Sequence, residues 1–549
     1  MKRFFSSLTM LMLCFALLPA PFPVRAADTV VGNGAPASCT EAAFDAALAA
    51  ANNGGGVITF NCGPGEVTIN LTVVKLVNLG DVTIDGGGRV VLRAGPSDRH
   101  FFAGPVIFRL QNITLQQGDA LVNGGAIEAS GGQVFLENVR MLNNRSAVAG
   151  GAIYCYNGVL SIAHSQFEGN QAVSGGAIYN DGCEVDIVET TFYNNQTTGG
   201  GGRGGAVENA PLGKMTVRSS RFTGNSALDG GAIYVASGST AVLDVVTLSA
   251  NHGGYGGGLE NSGALTMTNS LLTGNVVSGS GGGLWNLGGT ALVQRTTFSG
   301  NTASEGGGIN TYGVSLVLQQ VNISDNLASG THGGGLYHGG GVAFVTNATL
   351  SGNRASSPAG SGGGIYQNSE DNLTLTNVTL VSNQAGLFGG GLYHYGRYAA
   401  LINVTLGNNL AGTAGSAVYE DSPQTPANPG VVQIANSVLF GSANNCDGAF
   451  FQSLGHNLSQ GNCASLTGAG DQENFPGSLL LGEMAFNGGV FPMRTMLPLA
   501  GSPLIDAGDA GLCPVEDQRS AGRLAACDIG AVEYGAAAHR KYLPLVVER

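Results

Sequence analysis

One short motif recurs along most of the chain: two glycines (Gly-Ser in the last copy), a small residue, an aliphatic residue and a polar or aromatic residue. It occurs twelve times, in forms such as GGAIY, GGAVE, GGGLW and GSAVY. The aliphatic position falls at residues 127, 153, 178, 207, 233, 259, 284, 309, 336, 365, 392 and 418, a period of 25 to 29 residues. Such a period is typical of a solenoid, in which only stacked coils bury a continuous core.

Between the glycine motifs, hydrophobic and polar residues alternate with a period of two, as in LTLTNVTL at 373–380. Leu373 and Leu375 share one face, and Leu380 falls out of phase with them. A phase change at a fixed place in each repeat predicts a bend between two short strands. Each coil should therefore contain several short strands joined by turns.

A second motif keeps step with the first, an aliphatic residue or Phe followed three residues later by Asn. Stacked coils would let these amides pair with the coils above and below. We expect a structural ladder of Asn144, Asn170, Asn195, Asn225, Asn251, Asn275, Asn301, Asn326, Asn353, Asn383 and Asn409. Another column, three residues before the same apolar position, has Asn at seven of thirteen places and is interpreted as an interrupted second ladder; it comprises Asn112, Asn138, His164, Glu189, Ser219, Val245, Asn269, Arg295, Gln320, Asn347, Asn377, Asn403 and Asn436.

The N-terminal flank predicts a helix that covers the open edge of the stack. In residues 38–56 a Ser or Thr cap precedes apolar residues at helical spacing, and glycines end the segment; the apolar residues are Phe44, Ala47, Leu48 and Ala51.

These motifs resemble those of known families. The GGA[IL] and FxxN repeats are similar to those of polymorphic outer-membrane proteins. The segments ITFNC, VTIDGGGRVVL and LQNITL resemble the pectin-lyase-like right-handed parallel β-helix. Residues 502–535 resemble the end of the choice-of-anchor Q domain of exported bacterial proteins.

The repeats and the resemblance together predict an all-β fold, a right-handed parallel β-helix (solenoid) that forms a single domain with an N-terminal helix cap. The predicted division is a signal peptide at 1–26, a linker and capping helix at 27–56, the β-helix at 57–440, a non-repetitive, choice-of-anchor Q-like cap at 441–535 that closes the other end, and a tail at 536–549.

Residues 1–26 have the pattern of a cleaved secretory signal peptide: a basic start at Lys2 and Arg3, an apolar core and a VRA site. An uncleaved anchor is the alternative. No later run of 18 apolar residues predicts a membrane span in the mature chain. The sequence thus predicts a secreted or cell-surface protein.

Removal of the leader and Cys14 leaves an even number of cysteines, which favours disulfides in an exported protein. The candidates are Cys39, Cys62, Cys155, Cys183, Cys446, Cys463, Cys513 and Cys527. Sequence neighbours offer the pairs 39–62, 155–183, 446–463 and 513–527, but the connectivity stays open. No CxxC or HxxxH spacing favours zinc.

The formal net charge is −13, which argues against a nucleic-acid partner. An acidic chain should also repel acidic polysaccharides unless a local basic patch or bridging cations intervene. No cofactor is predicted. Calcium stays possible at one dense polar group, Asp506, Asp509, Asp517, Arg519, Asp528 and Glu533. The resemblance to the choice-of-anchor Q domain implies structural ion pairs or a calcium-stabilised cap there, and binding chemistry is the alternative.

The residue after each motif aliphatic should point away from the core, because its neighbours point inward. This motif column contains seven Tyr, three Glu and the chain's single Trp. Aromatic faces beside polar groups suit sugar rings, so the candidate ligand-binding residues are Trp285, Tyr337, Tyr366, Tyr393, His394 and Tyr419. The alternative is an aromatic ladder that stacks on itself and stiffens one sheet. In the most aromatic repeat, GGGLYHYGRY, residues Tyr395, Arg397 and Tyr398 remain distinctive beyond the motif.

Glu208 and Glu260 belong to the same column, two coils apart with Tyr234 between them. A separation of roughly 10 Å is at the edge of what an inverting glycosidase uses. No companion cluster is evident, so exposed glutamates that aid solubility are preferred to a catalytic pair.

The leading functional hypothesis is an exported or cell-surface protein, adhesin-like and without catalysis, that binds extracellular glycan or a surface through one face of the solenoid. The alternative is a polysaccharide lyase or glycoside hydrolase of the pectin-lyase-like superfamily. A passive spacer is a third possibility, and the oligomeric state and any metal site stay open.

Overall fold

The computed structural model describes residues 28–537 except 423, 426, 427, 449 and 465, together with the side chains of that range other than those of 423–429. The predicted signal peptide, Cys14 and residues 538–549 of the predicted tail lie outside the described residues. Among the described residues, no helix has the length and apolar character that a membrane crossing requires.

The predicted all-β parallel β-helix is confirmed, because successive coils pair in parallel and their strands form three sheets. We call these the major sheet, the motif sheet and the short sheet. The major sheet holds 28 strands, Thr29–Val31, Gly56–Phe60, Val67–Asn70, Val82–Arg93, Ile107–Gln116, Gln133–Leu142, Val159–Ala163, Gln166–Glu168, Glu184–Val188, Thr191–Tyr193, Lys214–Arg218, Arg221–Thr223, Thr240–Asp244, Thr247–Ser249, Ala264–Thr268, Leu271–Thr273, Thr290–Gln294, Thr297–Ser299, Ser315–Gln319, Asn322–Ser324, Val342–Ser351, Asn372–Val381, Tyr398–Ile402, Thr405–Gly407, Val431–Ala435, Val438–Phe440, Phe451–Gly455 and Leu458–Ser459.

The motif sheet holds 15 strands, Lys75–Val77, Phe101–Ala103, Ile127–Ser130, Ile153–Tyr156, Ile178–Asp181, Val207–Asn209, Ile233–Val235, Leu259–Asn261, Leu284–Leu287, Ile309–Tyr312, Leu336–His338, Ile365–Gln367, Leu392–His394, Val418–Glu420 and Cys446–Asp447. The short sheet holds 12 strands, Asp119–Ala120, Arg145–Ser146, Gln171–Ala172, Gln196–Thr197, Ser226–Asp229, His252–Tyr255, Val276–Val277, Thr302–Ala303, Leu327–Ala328, Arg354–Ala355, Gln384–Ala385 and Leu410–Ala411. Two antiparallel pairs lie outside the coils, Gln424–Thr425 with Asn428–Pro429 and Ala485–Phe486 with Arg494–Thr495.

Steric constraints favour glycine at both of the first two positions of the motif. The first takes a positive φ, 66° at Gly150, where a Cβ would lie 2.1 Å from the Ile153 carbonyl oxygen. At the second, Gly151, a Cβ would lie 2.0 Å from the carbonyl oxygen of Gly176 in the next coil. A side chain at either place would therefore disturb the turn or hold neighbouring coils apart.

The ladder of eleven asparagines is continuous from Asn144 to Asn409. In each of its ten steps, the Nδ2 of one Asn donates to the Oδ1 of the next at 2.9 to 3.0 Å. Asn275, for example, also donates from Nδ2 to the Leu248 carbonyl at 3.0 Å and from its backbone nitrogen to Asn301 Oδ1 at 3.0 Å. These fully buried amides thus satisfy backbone groups at the turn of every coil.

The second column is an interrupted ladder, as predicted, and it also has a common backbone conformation. Its stacked asparagines pair near both ends, where Asn138 Nδ2 donates to Asn112 Oδ1 at 2.9 Å and Asn377 Nδ2 donates to Asn347 Oδ1 at 3.0 Å. All thirteen residues have a left-handed backbone, with φ between 46° and 57°. They lie at the predicted bend of the major sheet, between the first and second strand segments of each coil. Asn is frequent there because it tolerates this conformation better than other non-glycine residues.

The predicted helix cap is present as Glu41–Asn52, and the four expected apolar residues face the first coils. Thr40 caps the helix by accepting a hydrogen bond from the Ala43 nitrogen at 3.2 Å. The buried Lys75 of the first motif-sheet strand binds Glu41 at 2.6 Å and Asp45 at 2.7 Å. An unpredicted strand, Thr29–Val31, pairs with Gly56–Phe60.

All four disulfides that sequence proximity offered are formed, which confirms the pairs 39–62, 155–183, 446–463 and 513–527.

The region predicted as a cap at 441–535 behaves differently in its two halves. Its first half continues the solenoid, because Phe451–Gly455 and Leu458–Ser459 still pair with the previous coil. Because this coil lacks the glycine motif, the repeat pattern placed the end of the β-helix at residue 440, before this last coil.

Residues that follow this coil pack against it, because Leu466 joins the main core and Gln472 pairs with Leu458. The second half returns along the flank over five coils, from Gln320 to Asn436. Gln518 anchors it by donating to Thr349 Oγ1 at 2.8 Å and accepting from Thr379 Oγ1 at 2.6 Å.

Replacement of a central ladder residue tests the role of the ladder. In Asn301→Ala, the Leu272 carbonyl and the Asn275 backbone nitrogen lose their partners in a dry interior. We expect a loss of about 3 kcal/mol in the free energy of unfolding, measured by chemical denaturation. Asn322→Ala, on the outer face of the same sheet, is the matched control and should change stability by less than about 1 kcal/mol. Equal effects of the two variants would contradict this role.

Val245 tests the backbone explanation of the bend column. A β-branched residue is strained at its φ of 57°. We expect Val245→Asn to raise stability by about 1 kcal/mol, although it removes an apolar side chain, with the melting temperature as the measurement. Asn269→Val should have the opposite effect, and a destabilised Val245→Asn would show that φ does not govern this column.

Candidate functional site

The motif column points out of the coil, but a second layer of side chains covers it. The residue just before the first glycine of one motif lies over the column residue of the next coil. Tyr255 stacks on Trp285 at 4.5 Å, and His332 stacks on Tyr366 at 4.2 Å between ring centroids. A polar or aromatic residue stands in front of ten of the twelve glycine motifs and was the sequence signal for this cover. Alternation within the strand could not reveal it.

Below this cover the tyrosines stack on one another. Tyr366 lies 4.8 Å from Tyr393 with an interplanar angle of 2°, and Tyr337 and Tyr419 extend the stack at 5.1 and 5.7 Å. Tyr337, Tyr366 and Tyr393 are buried, while Trp285 and Tyr419 are half-buried. The structure thus has the arrangement that we considered as the alternative, a self-stacking ladder. Ligand binding by these residues stays a prediction. The stacked rings do not present the open faces on which a sugar would pack.

His394 lies on the wrong side for a surface site. It follows Tyr393 in the strand, points into the coil interior and is fully buried, with Nδ1 at 2.8 Å from Gln367 Oε1. Burial, with a contribution from His338, lowers the pKa of His394 to about 3. It belongs to an inner polar column at the third position of the motif-sheet strands, which the sequence analysis missed: Asn180, Asn209, Asn261, Asn286, Thr311, His338, Gln367, His394 and Glu420.

The glutamate pair is not exposed, which contradicts the preferred prediction. Glu208 and Glu260 are 4% and 3% exposed because the same second layer covers them. Their Oε2 atoms are buried and have no hydrogen-bond partner. Burial raises the pKa of Glu208 to about 7, and burial together with Asp229 raises the pKa of Glu260 to about 8.

The glutamates also have the companion cluster that sequence reasoning did not find. Arg203 Nε lies 3.6 Å from an Asp229 carboxylate oxygen, and its guanidinium lies 4.9 Å from the Tyr234 ring centroid. Arg203 is half-exposed, so the cluster reaches solvent only at its rim. Two closed carboxyl groups cannot contact a polysaccharide in this conformation.

The acidic group near the C-terminus forms buried ion pairs. Arg519 contacts Asp517 at 2.7 Å, and Arg523 contacts Glu533 at 2.9 Å. No three His, Cys, Asp or Glu side chains within the described ranges come close enough together to hold a metal ion.

An open site lies on the major sheet instead. We call the outward side chains of its first strand segments, before the bend, the front face. Near its C-terminal end, Asn372, Arg397, Tyr398 and Val431 line a shallow concavity of about 430 Å³. Parallel pairing brings them together, because Tyr398 lies between Asn372 and Val431 in adjacent coils.

The chemistry of this concavity is aromatic, cationic and amidic. Tyr398 is held by its hydroxyl, which donates to Gln433 Oε1 at 2.5 Å. Arg397 is exposed and has no ion pair among the described residues. Tyr395 is 39% exposed nearby in sequence. We call this site the Tyr398 groove; the sequence singled out its residues, but only the fold separates them from the buried tyrosine ladder.

Comparison with known proteins agrees with the fold. Residues 231–411 match the family described as "Right handed beta helix region". Residues 138–156, 164–181 and 219–236 match the Chlamydia polymorphic membrane protein repeat. The chain contains a right-handed β-helix, and three of its segments match the polymorphic membrane protein repeat. The resemblance of residues 502–535 to the choice-of-anchor Q domain stays a prediction.

The β-helix is also similar to solved structures at low identity. Tailspike protein 3 of bacteriophage CBA120 shares 14% identity at a TM-score of 0.34, with 77% of this chain and 62% of that chain covered. Endo-xylogalacturonan hydrolase from Aspergillus tubingensis shares 14% identity at 0.23, with 78% and 100% covered. The AlgE4 A-module of Azotobacter vinelandii mannuronan C-5 epimerase shares 15% at 0.23, with 82% and 98% covered. No curated protein matches the chain significantly in sequence.

The buried glutamates of the β-helix predict a pH dependence of stability. Their folded-state pKa values lie above the ordinary 4.5, so the stability that their neutral forms contribute is complete below pH 4.5. It is lost as the pH rises through about 7 and about 8. Glu208→Gln/Glu260→Gln should therefore gain stability relative to the parent between pH 5 and 8, by roughly 3 kcal/mol per residue.

Denaturant titrations at fixed pH values measure this difference. Glu516→Gln, at an exposed position, is the control and should follow the parent at every pH. Parallel pH profiles of the double variant and the parent would contradict the buried, unpaired state of the two glutamates.

Proposed function

We propose that this protein is an exported, adhesin-like β-helix protein that binds extracellular glycan through the Tyr398 groove without catalysis. The observation that carries the proposal is the open placement of Arg397 beside the Tyr398 ring in that groove. The motif-sheet tyrosines stack on one another, whereas the groove lies open to a ligand.

The groove has the contacts that an acidic sugar needs. A tyrosine ring packs against the apolar face of a sugar, and the Asn372 amide can donate to or accept from hydroxyl groups. A guanidinium binds carboxylates with two parallel hydrogen bonds. Because Arg397 has no acidic partner among the described residues, it supplies the local positive charge that an acidic chain needs to accept an acidic polysaccharide.

Export is supported by two observations beside the leader pattern. Four disulfides are typical of proteins that fold in an oxidising compartment. Three segments of the chain match the repeat of the Chlamydia polymorphic membrane protein family, which fits the surface location that the sequence predicts.

The enzymatic alternative finds less support. Its best candidates, Glu208 and Glu260, are closed off from solvent by the layer that includes Asp229. Hydrolysis or elimination requires groups that touch the substrate, and a pKa shift caused by burial alone does not provide them.

Retention on immobilised polygalacturonate, with neutral dextran for comparison, tests the binding proposal. Tyr398→Ala should weaken retention at least tenfold, which is about 1.4 kcal/mol. Arg397→Gln should remove the preference for the acidic polymer and most of its salt dependence. Tyr156→Ala changes a more exposed tyrosine on another sheet and should bind like the parent.

Unchanged retention in both groove variants would refute the assignment of the site. The appearance of new reducing or unsaturated ends during the assay, lost in Glu208→Gln, would favour the enzymatic alternative.

A further inference from the structure

We propose that the front face carries a second glycan-binding groove near its N-terminal end and that one extended acidic glycan chain bridges both grooves. The inference rests on the proposed function for the type of ligand. Its own evidence is a second cluster of the same chemistry on the same face.

The second groove is a concavity of about 390 Å³ lined by Arg109, Gln111, Phe135 and Ser161, among others. The Arg109 guanidinium lies over the Phe135 ring at 4.9 Å from its centroid. Arg109 has no ion pair in the part of the chain that the structure describes. We call this site the Phe135 groove; like the Tyr398 groove, it combines an aromatic ring, an unpaired guanidinium and a side-chain amide.

One carboxylate also lines the Phe135 groove, and it has a partner. Glu137 Oε1 lies 2.7 Å from His164 Nδ1, whose Nε2 lies 3.3 Å from Glu189. The hydrogen bond to Glu137 raises the pKa of His164, so the imidazole offsets part of this charge when it is protonated. Arg109 pairs in register with Phe135, two residues along the strand from the position that pairs with Glu137. It has no ion pair among the described residues and can bind an anion.

The register of the major sheet places the two grooves on one face. Phe135 and Ala400, which is two residues after Tyr398, occupy the same column through successive parallel pairs: Phe135, Ser161, Asp186, Thr216, Val242, Thr266, Leu292, Val317, Phe344, Thr374 and Ala400. Ten steps of about 4.8 Å put the grooves roughly 48 Å apart along the axis.

The surface between the grooves can support a glycan chain. Val242 and Phe344 are each 43% exposed on this column, and Phe344 lies two coils from the Tyr398 strand. Asp186, the acidic residue of the column, is paired with Arg218 at 2.8 Å. The returning C-terminal segment binds the bend column from Gln320 to Asn436 and positions after the bend such as Thr349. These anchors lie outside the front face, which comprises the strand segments before the bend.

Two grooves on one rigid rod predict a dependence on chain length. A polymer that reaches both grooves gains affinity, because its second contact is intramolecular. We expect galacturonate chains longer than the span to bind at least about 100-fold more tightly than oligomers that fill one groove. We also expect two short oligomers to bind per protein chain.

Titration calorimetry on the full secreted chain, with galacturonate trimers and with a long size-selected fraction, tests both expectations. Arg109→Gln/Phe135→Ala should reduce the stoichiometry for trimers from two to one and lower the long-chain affinity to the trimer value. Arg397→Gln/Tyr398→Ala should have the same two effects, because it removes the Tyr398 groove. Tyr193→Ala, exposed on the second strand segment, is the matched control, and melting temperatures establish that the variants fold.

The outcomes separate the two proposals. Parent protein that binds one trimer, with binding lost only in Arg397→Gln/Tyr398→Ala, would overturn the second groove and leave the proposed function in place. Two trimers per chain without a length dependence would overturn bridging. Parent protein that binds neither trimer nor polymer would overturn both.

Discussion

The buried asparagine ladder is the interaction on which the coil shape depends. Each coil must turn between the major and the short sheet, and a turn leaves backbone donors and acceptors unpaired in a dry interior. The stacked amides from Asn144 to Asn409 pair with those groups and with each other at every step. Because an unpaired buried group costs about 1 to 3 kcal/mol, this one residue type holds the turn at the same place in every coil.

Positions that contact the neighbouring coil could be predicted from sequence, because the same contact recurs at every repeat. The glycine pair, the ladder and the inward aliphatic column are of this kind. The bend column shows the limit: the pattern predicted its interrupted ladder, but Asn112 and Val245 differ in chemistry and share a backbone conformation that a search for matching side chains does not reveal. The coil at Phe451–Gly455 was missed because it pairs without the motif.

The candidate site was harder to predict, because strand alternation gives the direction of a side chain and not what lies over it. Tyr366 points away from the core as expected, yet His332 from the previous coil covers it. Glu208 points the same way and is dry for the same reason. Tyr398, by contrast, lines an open concavity among the described residues, and alternation within its own strand does not encode this difference.

A layer that covers one face also decides where a ligand can bind. On the motif sheet the ring faces stack on each other, so a sugar would have to displace contacts that already exist, such as that between Tyr366 and Tyr393. On the front face, Arg397 and Arg109 remain without acidic partners among the described residues. In a chain of net charge −13, most of the surface should repel an acidic polymer. These two arginines, each in a concavity with an aromatic ring, are where we expect it to be held. Specific binding would then follow from where the chain leaves arginine unpaired, and not from its overall charge.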